Sequence, residues 1–253
     1  MPEPRLVPEP VGDSLTPRPA YPRLAGDPAA RLPARLPLSV WLGTAVSLLL
    51  TYGFLFIYVH PHVDTRTCVA RLPDVLFPVL PYDPAWYHVS HDVFYVVTLA
   101  CLGGLFYQAA RGEHRPLLRF SAAVSFQAVL RSITLLMLPI CKVNIDPGHA
   151  ALPSMPTLDL GFAQIPWRLW ATNDLIFSGH VCEFLILSFA VWPFWPLKAR
   201  LPLVAFQVLQ AVALIATRGH YTIDVIIAVP FAFFADRVTV AVLAWWTGRR
   251  ALA

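Results

Sequence analysis

Charged residues are scarce in this chain. It has 19 basic and 15 acidic residues in 253 positions, 57% of its residues are hydrophobic, and its mean hydropathy is +0.59. This composition excludes an ordinary soluble domain. Lysine is almost absent, with two copies against 17 arginines, and the arginines lie beside apolar runs. Orientation in a bilayer therefore explains the net charge of +4, and no nucleic-acid partner is expected.

Long apolar runs fill the chain after residue 37. A helix needs about 20 mostly apolar residues to cross the hydrocarbon layer. Six stretches approach this length, and three of them carry interrupting charged or histidine residues. We therefore predict an all-α polytopic membrane protein, with six transmembrane helices over residues 38–59, 93–110, 117–140, 175–195, 201–217 and 223–246.

The first 37 residues differ from the rest, because they contain nine charged residues and ten of the 25 prolines. This composition predicts a disordered cytoplasmic tail over residues 1–37, followed by a membrane domain over 38–248. Twelve Lys or Arg residues fall in the tail, the second and fourth loops and the C-terminus, against five in the other loops. The positive-inside rule then puts both termini in the cytoplasm and loops 60–92 and 141–173 on the exoplasmic or periplasmic side.

The four cysteines contain no CxxC pair, which argues against a structural zinc site. Cys68 and Cys141 fall on the predicted outer side, where they could form a disulfide or remain free thiols. His88 and His91 have helical spacing and could hold a metal, or they could belong to a membrane interface. We expect no metal and no cofactor.

Polar residues at the outer ends of predicted helices four and six are the candidates for chemistry, because ionisable groups are costly in lipid. His220 and Asp224 are four residues apart, which places them on one helical face. The carboxylate can orient the imidazole as a base or nucleophile. In the other helix, Ser178 and Gly179 precede His180, and the missing side-chain bulk lets an anion approach the backbone. Two imidazoles and one carboxylate suit phosphoryl transfer through a phosphohistidine.

The segments Ser178-Gly179-His180 and His220-Tyr221-Thr222-Ile223-Asp224-Val225 resemble the third and fourth motifs of the sphingomyelin synthases, a family within the type 2 phosphatidic acid phosphatase (PAP2) superfamily. Leu72-Pro73-Asp74 is similar to the family's first motif, and Arg131-Ser132-Ile133-Thr134 to its second. The resemblance covers roughly residues 70 to 240. The third motif departs from the family at Thr172-Asn173 and at Val181, which leaves the choice of acceptor and head group open.

The resemblance implies a six-helix enzyme that moves a phosphocholine or phosphoethanolamine group from a phospholipid donor to ceramide, diacylglycerol or a similar lipid alcohol. His220 is the implied nucleophile, Asp224 orients it, and His180 first protonates the leaving oxygen and then deprotonates the acceptor. With water as acceptor, the same site would be a phospholipase C or a lipid phosphate phosphatase. A nonenzymatic membrane protein is the remaining alternative.

Several further residues are candidates for substrate binding. Arg131 could bind the phosphate, or it could snorkel outward or pair with Glu183. Arg218 could balance phosphate charge or serve as a positive helix flank. Asp174 could tune His180, contact a cationic head group or cap its helix. Ser178, Gly179 and Tyr221 complete the predicted substrate-binding set.

Overall fold

The computed structural model describes residues 38–67, 72–140, 157–159, 164–166 and 177–250. The predicted tail, Asp174, Cys68 and Cys141 lie outside the described residues. Seven α-helices are present in the described part: α1 (Leu38–Phe54), α2 (His60–Thr65), α3 (Phe94–Ala110), α4 (Arg115–Met137), α5 (Gly179–Val191), α6 (Leu197–Ala216) and α7 (Thr222–Arg250). A single π-helical turn at Leu55–Val59 joins α1 to α2, and a second at Val89–Val93 leads into α3. Short 3-10 turns lie at Pro84–Trp86 and Trp192–Phe194.

Helix is the expected state of such apolar segments, because lipid offers no hydrogen-bond partners and a helix satisfies its own backbone. The described part contains five helical segments long and apolar enough to cross a membrane: Leu38–Thr65, Pro84–Ala110, Arg115–Met137, Leu197–Ala216 and Thr222–Trp246. Their outward side chains are apolar and exposed, as at Leu49 (74%) and Val96 (67%). These features indicate an integral membrane protein.

The predicted fourth helix is shorter than expected. Residues 175 and 176 lie outside the described part, and the helix begins at Gly179, where the Ser178 side chain accepts a hydrogen bond from the Val181 N–H. It ends at Val191 in a 3-10 turn that contains Pro193, and Pro196 follows before α6. Proline explains this end, since it cannot donate to the helical ladder. Nine of the 13 residues of α5 are buried, so it is an inner helix surrounded by its neighbours.

The all-α prediction is confirmed for the membrane-crossing elements. A small antiparallel pair of strands, β1 (Thr157–Asp159) and β2 (Gln164–Pro166), is the exception in the described part, with Leu158 opposite Ile165. The connection between α3 and α4 is a tight turn in which Gly112 has a φ of +93°, a conformation that glycine adopts without strain.

The main core lies where α4, α5 and α7 pack together. Phe177, Val181, Cys182 and Ile186 are buried there against α7. Ala228, Ala232 and Ala235 are fully buried on α7. Small residues at i, i+4 and i+7 let neighbouring backbones approach closely, which is how membrane helices pack in the absence of a hydrophobic driving force between them.

Helices α4 and α6 end, and α5 and α7 begin, at one end of this bundle, which we call the site end; the opposite end is the far end. Loop 72–83 is fastened across the site end by hydrogen bonds. The Asp83 N–H donates to the Ala216 carbonyl at 3.2 Å. Arg218 donates to the Phe77 and Leu80 carbonyls at 3.1 and 2.9 Å.

Candidate active site

His220 and Asp224 meet at the start of α7. The His220 Nδ1 and Asp224 Oδ2 atoms are 3.5 Å apart, and the two residues are 5% and 1% exposed. This separation is suited to an ion pair but is longer than a good hydrogen bond. Asp224 Oδ2 accepts the Tyr221 N–H at 2.9 Å, so the carboxylate also caps the first turn of its own helix. Its side chain is thus held toward His220 Nδ1, which leaves Nε2 of the imidazole for chemistry.

The start of α5 is attached to the start of α7 through the backbone. The Ser178 N–H donates to the Asp224 carbonyl at 3.1 Å. His180 follows in the first turn of α5. Its ring centroid lies 6.5 Å from that of His220, at an interplanar angle of 68°. The structure therefore brings together all three predicted catalytic residues. The two imidazoles are therefore neighbours, so one can act as nucleophile and the other as proton donor toward the same phosphoryl group.

Arg131 lies against the backbone of Gly179. It is a buried residue of α4, 6% exposed. A Cβ added at Gly179 would overlap the guanidinium, which occupies the space where any other residue would carry its side chain. The sequence leads us to expect this missing bulk to let an anion approach the backbone; in the structure the guanidinium of Arg131 takes that space, and anion binding by Gly179 stays a prediction. This packing holds a positive group next to the first turn of α5, where backbone N–H groups also favour an anion.

Arg131 lies within electrostatic range of two carboxyl groups. Its charge interacts with those of Glu183 and Asp224, and Glu183 Oε1 accepts a hydrogen bond from the Tyr52 hydroxyl at 2.9 Å. Tyr52 comes from α1, so four helices, α1, α4, α5 and α7, contribute to this cluster. The sequence raised a pairing of Arg131 with Glu183 as an alternative, but it offered no signal for Tyr52, which lies 131 positions from its partner.

A third imidazole, His91, lies beside His180. The two ring centroids are 5.5 Å apart, and His91 also stacks on Tyr87 at 4.0 Å. The Ser90 hydroxyl lies 2.9 Å from His91 Nδ1 and fixes the orientation of the ring. His88 instead pairs with Asp92 at 2.7 Å, with both side chains mostly exposed. The π-helical turn Val89–Val93 contains His91 and begins directly after His88. Such turns are frequent at functional sites.

The contacts of Arg218 within the described part of the chain are with backbone carbonyls and an aromatic ring. Besides its bonds to loop 72–83, it donates to the Ile215 carbonyl at 3.1 Å, and its guanidinium lies 4.0 Å from the centre of the Phe77 ring. Its φ is +57°, a rare conformation for a residue other than glycine. Tyr221 is buried and stacks on the same Phe77 ring at 5.8 Å. The contacts of both residues support the wall of the site, and their roles in substrate binding stay predictions.

Asp74 caps α7 from loop 72–83. It accepts hydrogen bonds from the Thr222 backbone N–H and, at 2.7 Å, from the Thr222 hydroxyl. It also accepts the Leu76 N–H at 2.8 Å. Burial opposes ionisation of Asp74, but these hydrogen bonds outweigh it and lower the pKa of the carboxyl. The residue singled out by resemblance to a first motif therefore anchors the turn that presents His220.

Comparison with known families adds one finding to this geometry. Residues 172–241 match the family model described as PAP2 superfamily C-terminal. The match covers less than a third of the chain. The comparison with curated proteins found no match. PAP2 superfamily members are generally phosphatases or phosphotransferases that act on phosphate esters.

The PAP2 segment contains Ser178, Gly179, His180, His220 and Asp224, and therefore both helix starts of the site. Arg131, His91 and Asp74 reach the site from outside it. The described residues include no group of three or more His, Cys, Asp or Glu side chains arranged to hold a metal ion. The chemistry available to the described groups is nucleophilic attack by an imidazole, proton transfer by a second imidazole, and charge stabilisation by a guanidinium.

Proposed function

We propose that the protein transfers a phosphocholine-type head group from a phospholipid to a lipid alcohol, as a six-helix enzyme of the sphingomyelin synthase type. The main observation behind this proposal is the meeting of His180, His220 and Asp224 beside the buried guanidinium of Arg131. The PAP2 match supports phosphate-ester chemistry in general. The choice of transfer over hydrolysis depends on the motif resemblance.

In the first step, Nε2 of neutral His220 attacks the donor phosphorus and forms a P–N bond while the P–O bond to diacylglycerol breaks. Protonated His180 gives its proton to the departing oxygen, so diacylglycerol leaves as an alcohol. The phosphorylated imidazole of His220 becomes cationic, and Asp224 stabilises it. Arg131 and the first turn of α5 balance the negative charge on the phosphoryl oxygens.

In the second step, the hydroxyl oxygen of the acceptor attacks the same phosphorus. Neutral His180 takes the hydroxyl proton, the P–N bond breaks, and His220 returns to its neutral state. Protons and atoms balance over the two steps, so no cofactor is needed. Water in place of the lipid alcohol would release free phosphocholine by the same route. Hydrolysis is the second candidate, since the PAP2 superfamily generally includes phosphatases.

The charge distribution of the loops supports a site on the exoplasmic or periplasmic face with both termini in the cytoplasm. Loop 72–83, which covers the site end, would then face outward. Labelling of single cysteines in this loop by a membrane-impermeant thiol reagent, in a background where the native cysteines are replaced, tests this orientation in intact cells or vesicles.

The decisive experiment incubates the purified full-length protein with phosphatidylcholine labelled in the head group, with and without ceramide. We expect a labelled phosphosphingolipid only when ceramide is present, and an acid-labile, alkali-stable label on the protein in a rapid quench. Free phosphocholine as the only product in both conditions would favour hydrolysis. No product from phosphatidylcholine, phosphatidylethanolamine or phosphatidic acid would contradict the proposal.

A further inference from the structure

Glu183 of α5 is an acidic residue that the proposed mechanism does not use. Helices α3 to α7 contain three acidic residues: Glu183, Asp224 and Asp236. Asp224 faces His220, and Asp236 forms an ion pair with Arg119 at the far end. A carboxylate within a membrane helix is costly, so its presence calls for a function or a partner. Of the three, Glu183 is the one that neither the catalytic triad nor the far pair explains.

Glu183 lies on the face of α5 that packs against Arg131. It follows Gly179 by four residues, so the two share one helical face. The guanidinium of Arg131 occupies the space beside Gly179. Because side chains in a helix lean toward its N-terminus, the side chain of Glu183 is directed back toward the turn that holds Gly179. This position accounts for the electrostatic interaction between Glu183 and Arg131.

Tyr52 of α1 holds the carboxyl group of Glu183 in place. Its hydroxyl donates to Glu183 Oε1 at 2.9 Å, and its ring meets Phe56 edge-on with ring centroids 5.4 Å apart. Tyr52 also packs against the core that α4, α5 and α7 share. A hydrogen bond from a neutral donor favours an ionised carboxylate without cancelling its charge, and the guanidinium of Arg131 favours it further. The negative charge of Glu183 is therefore fixed near Arg131.

The charges of the described side chains at the phosphate site balance each other. Arg131 and protonated His180 supply two positive charges, and Asp224 and Glu183 supply two negative ones. A phosphodiester adds one negative charge, whereas a phosphomonoester adds about two at pH 8, since its second pKa is about 6. Inside a bundle of low dielectric, each uncompensated charge is costly. A phosphomonoester therefore binds with the larger electrostatic penalty.

We infer that Glu183, oriented by Tyr52, restricts the site to phosphodiesters by offsetting the charge of Arg131. The inference rests on the proposed function and deepens it, because it concerns the charge of the donor phosphate. Without the carboxylate, a phosphomonoester would meet the same charge balance that a phosphodiester meets in the native site. Specificity of this kind comes from a repulsive group that acts against the wrong ligand. Glu183 thus disfavours the lipid phosphate phosphatase reaction at this site.

The test measures binding without turnover, in the full-length His220→Ala protein in nanodiscs at pH 8. A photoactivatable, radiolabelled phosphatidylmethanol, a phosphodiester without a cationic head group, is crosslinked to the protein. It is displaced by dihexanoyl phosphatidylmethanol or by dihexanoyl phosphatidic acid, which differ by one methyl group and about one negative charge. In this parent protein, phosphatidic acid should need a concentration for half-displacement at least about tenfold higher than phosphatidylmethanol. Glu183→Gln should lower the ratio of the two concentrations by about tenfold.

The ratio separates an effect of charge from a structural effect, because a distorted site would weaken both competitors and leave their ratio unchanged. Glu113→Gln is the matched control, since it removes the same charge from the turn between α3 and α4 at the far end. It should keep the parent ratio. Tyr52→Phe removes the hydrogen bond but keeps the carboxylate, so it should lower the ratio less than Glu183→Gln does.

An unchanged ratio in Glu183→Gln would overturn the inference, as would an equal fall in Glu113→Gln or in Tyr52→Phe. Equal displacement by the two competitors in the parent protein, or an absence of saturable labelling, would also overturn it. If Glu183→Gln does not fold, Glu183→Met removes the same charge and takes its place. The ratio in the parent protein still tests the inference on the native carboxylate.

Failure of this inference is distinguishable from failure of the proposed function. Transfer from phosphatidylcholine is measured on the wild-type protein, whereas the binding of anionic lipids is measured in a protein that lacks the nucleophile. A ratio that depends on Glu183 supports the inference even where turnover yields only free phosphocholine. Transfer with a ratio independent of Glu183 would keep the proposed function and overturn the inference.

Discussion

Helices α4 and α7 carry an arginine and an aspartate at each end of the bundle, and the two sets are arranged differently. At the far end, Arg119 donates to Asp236 through Nε and Nη2 at 2.6 and 2.7 Å. At the site end, Arg131 packs on Gly179, while Asp224 faces His220 and the Tyr221 N–H. Both arginines and both aspartates are 12 residues apart on antiparallel helices, roughly 18 Å along the axis.

The comparison shows how arginine and aspartate can stabilise the fold at one end of the bundle and remain available for chemistry at the other. The far pair is bidentate and buried, so the positive and negative charges satisfy each other. At the site end, backbone contacts hold the carboxylate toward an imidazole. Asp224 Oδ1 has no hydrogen-bond partner within the described residues. Unsatisfied polar groups of this kind are costly for folding and useful for binding a substrate.

The strongest test of this comparison removes the nucleophile. His220→Ala should lower kcat/KM for labelled phosphatidylcholine by at least about 10⁴-fold, because no group remains to form the P–N bond. The melting temperature, followed by tryptophan fluorescence, should change little. His88→Ala is the control, since this exposed histidine pairs only with Asp92 in the described structure. Substantial activity in His220→Ala would contradict the assignment.

Substitutions in the far pair should lower stability and leave activity unchanged, the reverse of what is expected for His220→Ala. Arg119→Met should destabilise the protein by about 3–5 kcal/mol, because it leaves Asp236 buried and charged without its partner. The double variant Arg119→Met/Asp236→Leu should recover most of the lost stability, as measured by thermal unfolding in detergent. Activity per folded molecule should stay at the wild-type level in both. A large loss of activity in the stable double variant would show that the far pair also supports the site.

Gly179→Ala tests the close approach of Arg131 to α5. The added methyl group would displace the guanidinium, so we expect kcat/KM to fall by about 10²-fold with a modest loss of stability. Gly103→Ala in α3 is the matched control, because an added Cβ there meets no atom within 4 Å. It should keep full activity and be equally or more stable. Unchanged activity in Gly179→Ala would argue against Arg131 as a phosphate-binding group.

The smallest effect is expected from the cap on α7. Asp74→Asn should lower stability by about 1 kcal/mol at neutral pH, the usual size of a capping interaction. The lowered pKa of Asp74 means that its stabilising contribution is present above the ordinary value of 3.8 and lost as the pH falls through the lowered pKa. The difference in melting temperature between wild type and Asp74→Asn should therefore shrink below about pH 4. A difference independent of pH would contradict the role of the ionised carboxyl.

Several features were predictable from the sequence because they depend on local composition. Apolar runs of membrane length predicted the helices, and the spacing of His220 and Asp224 predicted their shared face. The predicted fourth helix was too long, because its apolar run continued through prolines that end α5. The twelve basic residues that set the predicted orientation include Arg119, placed in the second loop with Arg111 and Arg115, but Arg119 is buried against Asp236, 117 positions away. A charge in an apolar helix signals the need for a partner without identifying it.

Other site features depend on contacts between distant segments. His91 enters beside His180 only because the π-helical turn before α3 packs against α6, and Tyr52 reaches Glu183 across the bundle. The helical spacing of His91 from His88 indicates a metal site or a membrane interface and does not point to His180, and no sequence pattern marks Tyr52.

By itself, the sequence determined that this chain is a helical membrane protein and which residue types stand at the starts of α5 and α7, because lipid solvation and helical spacing act on neighbouring residues. Only the tertiary structure decided which charges neutralise each other and which remain available. Whether two charges pair depends on the register between helices that are far apart in the chain. In a bundle of low dielectric, a shift of one helical turn would decide between a neutralised ion pair and charged groups available to a substrate.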